Sequence, residues 1–125
     1  MEVWKLARDL TVSIHDMSLT LPNFEQFEVG AQIRRSIKSV KSNIVEGYAR
    51  RYHKNEFVRF ILTAFASACE TTDHLETLFE TKSLRDQEVY DDLKVRLERL
   101  CKMLNNFLKT IRATHKRPNQ WAEND

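Results

Sequence analysis

Arg34, Lys38 and Lys41 recur at intervals of four and three within the stretch AQIRRSIKSVKSNIVEGYARR (residues 31–51). Arg35, Arg50, Arg51 and Lys54 stand beside them, and Arg59 follows shortly after. On an α-helix such spacing lines cations along one side. Fixed positive charge without a neighbouring nucleophile suits one task, holding phosphates by sequence-independent electrostatics that weaken with salt. Tyr48 and Tyr52 interleave with the arginines, in a pattern that suits either stacking on unpaired bases or packing against the next helix. A second run, Lys94, Arg99, Lys102, Lys109, Arg112, Lys116 and Arg117, decorates the C-terminal part. Charge runs on helices also simply solvate a surface, so both readings stand at this point.

Other chemistry finds less to work with. Helical bundles hold paired metals through Glu-x-x-His motifs on facing helices. Here Glu70 is followed by Asp73 and then His74, and no second copy exists, so no metal site is expected. A ribonuclease of helical-bundle type would need an arginine followed about six residues later by a histidine. Arg50 or Arg51 with His53, and Arg112 with His115, are both too close in sequence. His15, His53, His74 and His115 are scattered and flanked by polar residues, which favours surface positions. Cys69 and Cys101 lie within apolar helical patterns without metal spacing and read as reduced core cysteines. Two glycines cannot build a phosphate loop, so no enzyme and no cofactor is expected.

The elements that position the cations are helices. Val3, Leu6, Leu10, Ile14, Met17 and Leu21 form the seam of a first helix, with Trp4 beside it, ending at Leu21-Pro22-Asn23. Phe24 and Phe27 fall in the connection or the first turn beyond it. Ile33, Ile37, Val40 and Ile44 give the second helix its core face, and Gly47 reads as the point where the backbone leaves it. Ser42, Asn43 and Glu46 flank Ile44, with two readings open. Either Glu46 pairs locally with Arg50 while the other two bond to backbone, or all three sit at a subunit contact.

A third helix opens near Asn55, a candidate cap with Glu56 in its first turn. Its residues 57–69, FVRFILTAFASAC, hold only Arg59, Thr63 and Ser67 as non-apolar side chains, spaced by four. One narrow ribbon would then face water, so a second covering surface is needed. Phe57, Phe60, Ile61 and Phe65 are therefore expected to form an interface between copies. Ser83-x-x-Asp86 resembles a weak capping box before the last helix, whose seam runs from Val89 through Leu93, Leu97, Leu100, Leu104 and Leu108 to Ile111. Pro118 ends any continuation, leaving residues 118–125 as a tail and residues 1–117 as one all-α, up-down-up-down four-helix bundle.

Composition agrees with that class. The chain of 125 residues has 2 Gly and 2 Pro, too few turn formers for a sheet protein. Its net charge of +2 conceals alternating blocks: −3 over residues 1–30, +6 over 31–60, −6 over 61–93, +7 over 94–117 and −2 beyond. Antiparallel packing is expected to set acidic and basic helix surfaces side by side. No apolar run reaches the length of a membrane span and the N-terminus is unlike a signal peptide, so a cytoplasmic, membrane-free protein is expected.

The segment QIRRSIKSVKSNIVEGYARR with the following KNEFVRFI, preceded by VWKLARDL and LPNFEQFEVG, resembles the four-helix-bundle family of 23S rRNA-intervening-sequence proteins over residues 3–112. The family's glutamine-arginine pair falls on Gln32, Arg34 and Arg35, its SN-x-x-EG on Ser42, Asn43, Glu46 and Gly47, and its basic pair on Arg50 and Arg51. Many relatives have proline where this chain has Lys41, so a kink expected there is lost and a charge gained. The resemblance implies an antiparallel bundle without enzymatic activity or cofactor. It is similar in fold to accessory proteins of diversity-generating retroelements, which form barrel-like pentamers and bind nucleic acid and a reverse transcriptase. By that likeness a homopentamer with an RNA or DNA partner, and a reverse transcriptase-type partner, are implied. Arg34, Arg35, Lys38, Lys41, Arg50, Arg51 and Lys54 are the candidate nucleic-acid-binding residues. A protein-assembly factor that binds no nucleic acid is the alternative.

Overall fold

The computed structural model describes residues 1–114, so the predicted boundary at residue 117 and the tail 118–125 lie outside the described residues. Five helices follow in order: α1 (Glu2–Ser18), α2 (Asn23–Gln26), α3 (Val29–Ala49), α4 (Lys54–Glu80) and α5 (Gln87–Ala113). α2 is a single turn, and no strand occurs among the described residues. The four long helices pack α1 on α3, α3 on α4, α4 on α5 and α5 back on α1. Each neighbouring pair is antiparallel. Arg34 meets Ser18, Thr71 meets Ser36, Phe107 meets Phe57, and Arg96 meets Ser13. The predicted seams line the shared interior, where Leu10, Ile14, Ile37, Ile44, Ile61, Leu97 and Leu104 are fully buried. α3 runs unbroken through Lys41, as the absence of proline there allows.

One end of the bundle is fastened by buried polar groups. Pro22 turns the chain out of α1 with extended geometry (φ −54°, ψ 151°). Glu25 in the short α2 turn is only 5% exposed, yet both carboxyl oxygens are satisfied. The Val29 amide donates to one at 3.0 Å and the Ser83 hydroxyl to the other at 2.6 Å. Glu25 thus ties the start of α3 to the α4–α5 turn. Arg34 adds a second tie, donating to Ser18 Oγ at 3.0 Å and to the Gln26 carbonyl at 2.7 Å. Gly30 makes this closure possible, because a Cβ there would lie 2.5 Å from the Glu25 carbonyl oxygen.

Several local expectations are corrected. Gly47 does not release the chain; it is buried inside α3, where a Cβ would stand 3.0 Å from Ile61 Cδ1 and 3.1 Å from Phe60 Cβ. Its missing side chain lets α3 and α4 approach closely. Asn55 is not the cap of α4, which begins at Lys54 after His53. Ser83 makes no capping box, being occupied by Glu25, and Asp86 itself caps α5 by accepting from the Val89 amide at 3.2 Å.

Ser67 does not belong to the water-facing ribbon. It is buried against α3, its hydroxyl 3.0 Å from that of Ser39. Leu62, Ala66 and Cys69 face solvent instead, together with Arg59 and Thr63. Phe57 (1% exposed) and Ile61 are spent in the core, so they cannot form the interface expected of them. Phe60 and Phe65 keep part of their surface. The cysteines also differ from core residues: Cys69 is exposed and Cys101 half-buried, both as free thiols.

Acidic and basic helix surfaces meet where Lys94 of α5 faces Glu76 of α4 and where Arg35 of α3 shares a depression with Glu70 of α4, and the two ends of the bundle differ in charge as well. The acidic block 61–93 straddles the α4–α5 turn, so both its arms arrive at one end of the bundle. The cations that follow α3 meet the last turn of α5 at the other end, where Lys54 Nζ donates to the Arg112 carbonyl at 3.1 Å, while Arg34, Arg35 and Lys38 in the first turns of α3 stand at the acidic end. Ion pairs of Lys5, Arg8, Arg50, Arg59 and Arg96 stay within single helices, while Lys94 reaches across to Glu76 at 3.6 Å. Such exposed pairs contribute little stability.

Two predictions follow from this packing. Gly30→Ala forces a methyl group onto a backbone oxygen that cannot yield, and should cost roughly 1–3 kcal/mol. Thermal unfolding should show a larger loss for Gly30→Ala than for Gly47→Ala, where side chains can give and helix propensity improves; the reverse order would contradict the contacts described. Burial, then the neighbouring Cys69 thiol, pushes Cys101 up to about 11. At pH 8 iodoacetamide should therefore label Cys69 well before Cys101, as read by peptide mass spectrometry. Because the unfolded thiol titrates near pH 8.5, stability linked to Cys101 is present below that pH and is lost as pH climbs towards 11.

Candidate functional site

The candidate cations divide into four kinds of place. Arg34 is turned inward to Ser18 and Gln26 and serves as a fastening. Arg35 and Lys38 project from the outer side of α3 and make no hydrogen bond or ion pair with a described residue. Arg35 edges a depression of about 210 Å³ between α3 and α4, shared with Gln32, Ser36, Ser39, Ser67 and Glu70. Lys41 is half-buried, a multiple of seven residues from Arg34 and Tyr48 and so on the same side of α3. The remaining cations gather at the corner between α3 and α4.

This corner is built from two arginine–aromatic stacks. The Arg51 guanidinium lies 4.2 Å from the centre of the Tyr48 ring and 4.5 Å from that of Tyr52. It also donates to the Tyr48 carbonyl at 3.0 Å and the Tyr52 hydroxyl at 2.7 Å, which fixes the plane. Beside it, Phe60 carries Arg50 at 4.7 Å and Arg59 at 4.5 Å. Arg50 pairs with Glu46 and Arg59 with Glu56. Hydrogen bonding from Arg59 holds the Glu56 carboxyl below its ordinary range. Lys54 joins the corner to the last turn of α5, where the exposed side chains of Lys109 and Arg112 add charge. The C-terminal carbonyls of α3 and α5 favour cations in this place.

Sequence spacing foresaw the clustering and the Glu46–Arg50 pair, but not the platform. Phe60 looked like an interface residue because its apolar character hid its use as a support for two guanidinium groups. Ser42 and Asn43 follow the local reading: the hydroxyl donates to the Ser39 carbonyl at 3.2 Å and the amide to the same carbonyl at 2.8 Å. Glu25 was missed because a buried carboxyl looks like any surface glutamate in sequence. Its signal lay in the small Gly30 five residues on and in the hydroxyl of Ser83, which is distant in the chain.

Chemically the corner offers planar cations and aromatic faces on rigid helix ends, a surface for phosphates and unstacked bases. His53 is exposed near Arg50 and Arg51, while His15 and His74 are half-buried elsewhere, so no acid–base pair assembles among them. No three His, Cys, Asp or Glu side chains among the described residues gather as a metal site would require. No helix among them is long and apolar enough to cross a membrane.

The comparisons agree with this architecture. The model of the 23S rRNA-intervening sequence protein family matches residues 1–106. A crystal structure from Bacteroides thetaiotaomicron, described as a protein of unknown function from the S23 ribosomal protein family, superposes with a TM-score of 0.78 at 26% identity. The match covers 86% of this chain and 95% of that one. No curated protein matches. With four long antiparallel helices and a family match over most of its length, this chain belongs to the 23S rRNA-intervening sequence protein family.

Proposed function

We propose that this chain is a non-enzymatic nucleic-acid-binding protein whose contact is the α3–α4 corner. One observation carries the reading: Arg51 is stacked with Tyr48 and Tyr52 while Arg50 and Arg59 share the Phe60 ring, all on one exposed corner. Guanidinium groups held flat present donors to phosphate oxygens in fixed directions. Tyr48 is 41% exposed beside Arg51, and an exposed aromatic side chain next to a guanidinium suits a stacking base, which favours single-stranded nucleic acid over a duplex. The family's name, which refers to rRNA, makes RNA the first strand to test. A scaffold that binds only proteins is the rival reading; on it these stacks would serve assembly alone.

Titration of single-stranded RNA by fluorescence anisotropy separates the two. With about four phosphates neutralised, the logarithm of affinity should fall with that of salt concentration with a slope near −3. Replacing Arg50 and Arg51 together by alanine should weaken binding about tenfold or more. Arg34→Ala should lower thermal stability but leave the affinity of the folded protein within about twofold. Binding indifferent to salt, or unmoved by the double substitution, overturns the proposal.

A further inference from the structure

Beside the corner, between the start of α1 and the last turns of α3, lies an apolar hollow. Met1, Trp4, Ile44, Val45 and Tyr48 line it, and its volume is about 270 Å³. A cavity of roughly 150 Å³ is enough for a benzene ring, so a larger flat ring system has room here. Met1, Val45 and Tyr48 are exposed, which makes the hollow an open apolar surface of the kind that marks a binding place.

Cations stand at its rim from both helices. The Arg8 guanidinium lies 5.0 Å from the centre of the Trp4 ring, and the Arg51 guanidinium 4.2 Å from that of Tyr48. Lys41 precedes Val45 by four residues and Tyr48 by seven, which puts it on the same side of α3. None of the five lining residues carries a carboxylate. The nearby acids are engaged, Glu2 with Lys5, Asp9 with Arg8 and Glu46 with Arg50. An apolar hollow with two aromatic residues and a cationic rim is complementary to a flat uncharged ring carried on an anionic chain.

We propose that the hollow receives one unpaired base of a single strand, seated between Trp4 and Tyr48, with the adjoining phosphates on Arg51 and Arg8. This rests on the nucleic-acid reading of the corner and deepens it by naming where a base, as distinct from a phosphate, is held. Tyr48 links the two places, since it carries Arg51 and also borders the hollow. The indole N–H of Trp4 and the hydroxyl of Tyr48 are the only polar side-chain groups in the lining. Selection therefore follows ring area and stacking strength and not base edges, and a purine is held more tightly than a pyrimidine.

Fluorescence anisotropy with short labelled strands of abasic ribose phosphate tests it, each carrying one central adenine, one central uracil or no base. The adenine strand should bind the full chain about tenfold more tightly than the baseless strand, with uracil between them. Val45→Gln sets an amide in the apolar hollow from an exposed position, and Trp4→Leu removes one aromatic wall. Each should bring the adenine strand to within about twofold of the baseless one while helical circular dichroism is unchanged. A baseless strand that binds with the expected salt dependence while adenine adds nothing overturns the hollow and leaves the corner standing. An adenine advantage untouched by both substitutions also overturns it, because the base then stacks elsewhere. No binding by any strand overturns the corner reading and this one with it.

Discussion

Four apolar seams that must share one interior govern everything else in this molecule. Each helix alone leaves a greasy stripe exposed, and short connections between long helices permit only antiparallel neighbours. Once that order is imposed, the charge pattern of the chain becomes a pattern in space. The acidic residues on both sides of the α4–α5 turn are brought to one end, and Lys54, just beyond the arginines that follow α3, meets the last turn of α5 at the other. Polarity of the bundle is therefore a consequence of core packing. No long-range ion pairing is needed to produce it.

The helix ends show how the same sequence assigns similar residues to different tasks. Arg34 and Arg35 are adjacent, yet one is a fastening for Ser18 and Gln26 while the other projects. Burying polar groups is costly unless every donor and acceptor is matched. Glu25 meets that condition through Val29 and Ser83. Along the α3–α4 contact Ser36, Ser39, Ser67 and Thr71 do so through one another, with Thr71 Oγ1 donating to Ser36 Oγ at 2.7 Å. Small hydroxyl side chains there, like Gly47 further along, let the two helices lie close.

Much of this was legible in the sequence, for a physical reason. Core seams repeat every three or four residues, and Ile33, Ile37, Val40 and Ile44 announce their face without knowledge of any partner. What failed to show was whatever depends on which helix lies next door. Phe57 and Ile61 seemed surplus because a single helix cannot reveal that two neighbours enclose it. Ser67 looked like a solvent residue until Ser39 was found opposite. Phe24 and Phe27 read as ordinary connection residues, although the locked turn holds both in water. At the candidate site the cluster of arginines was visible, whereas the ring of Phe60 beneath two of them required the fold.

The account ties function to the polarity that packing creates, so the contact should lie at one end of the bundle. Backbone amide chemical shifts of the isotopically labelled protein, followed as single-stranded RNA is added, test this most directly. The account predicts changes centred on residues 48–59 and the last turn of α5, with Asp16, Glu80 and Glu88 at the far end unmoved. Changes spread evenly over the bundle, or centred on the acidic end, would contradict it.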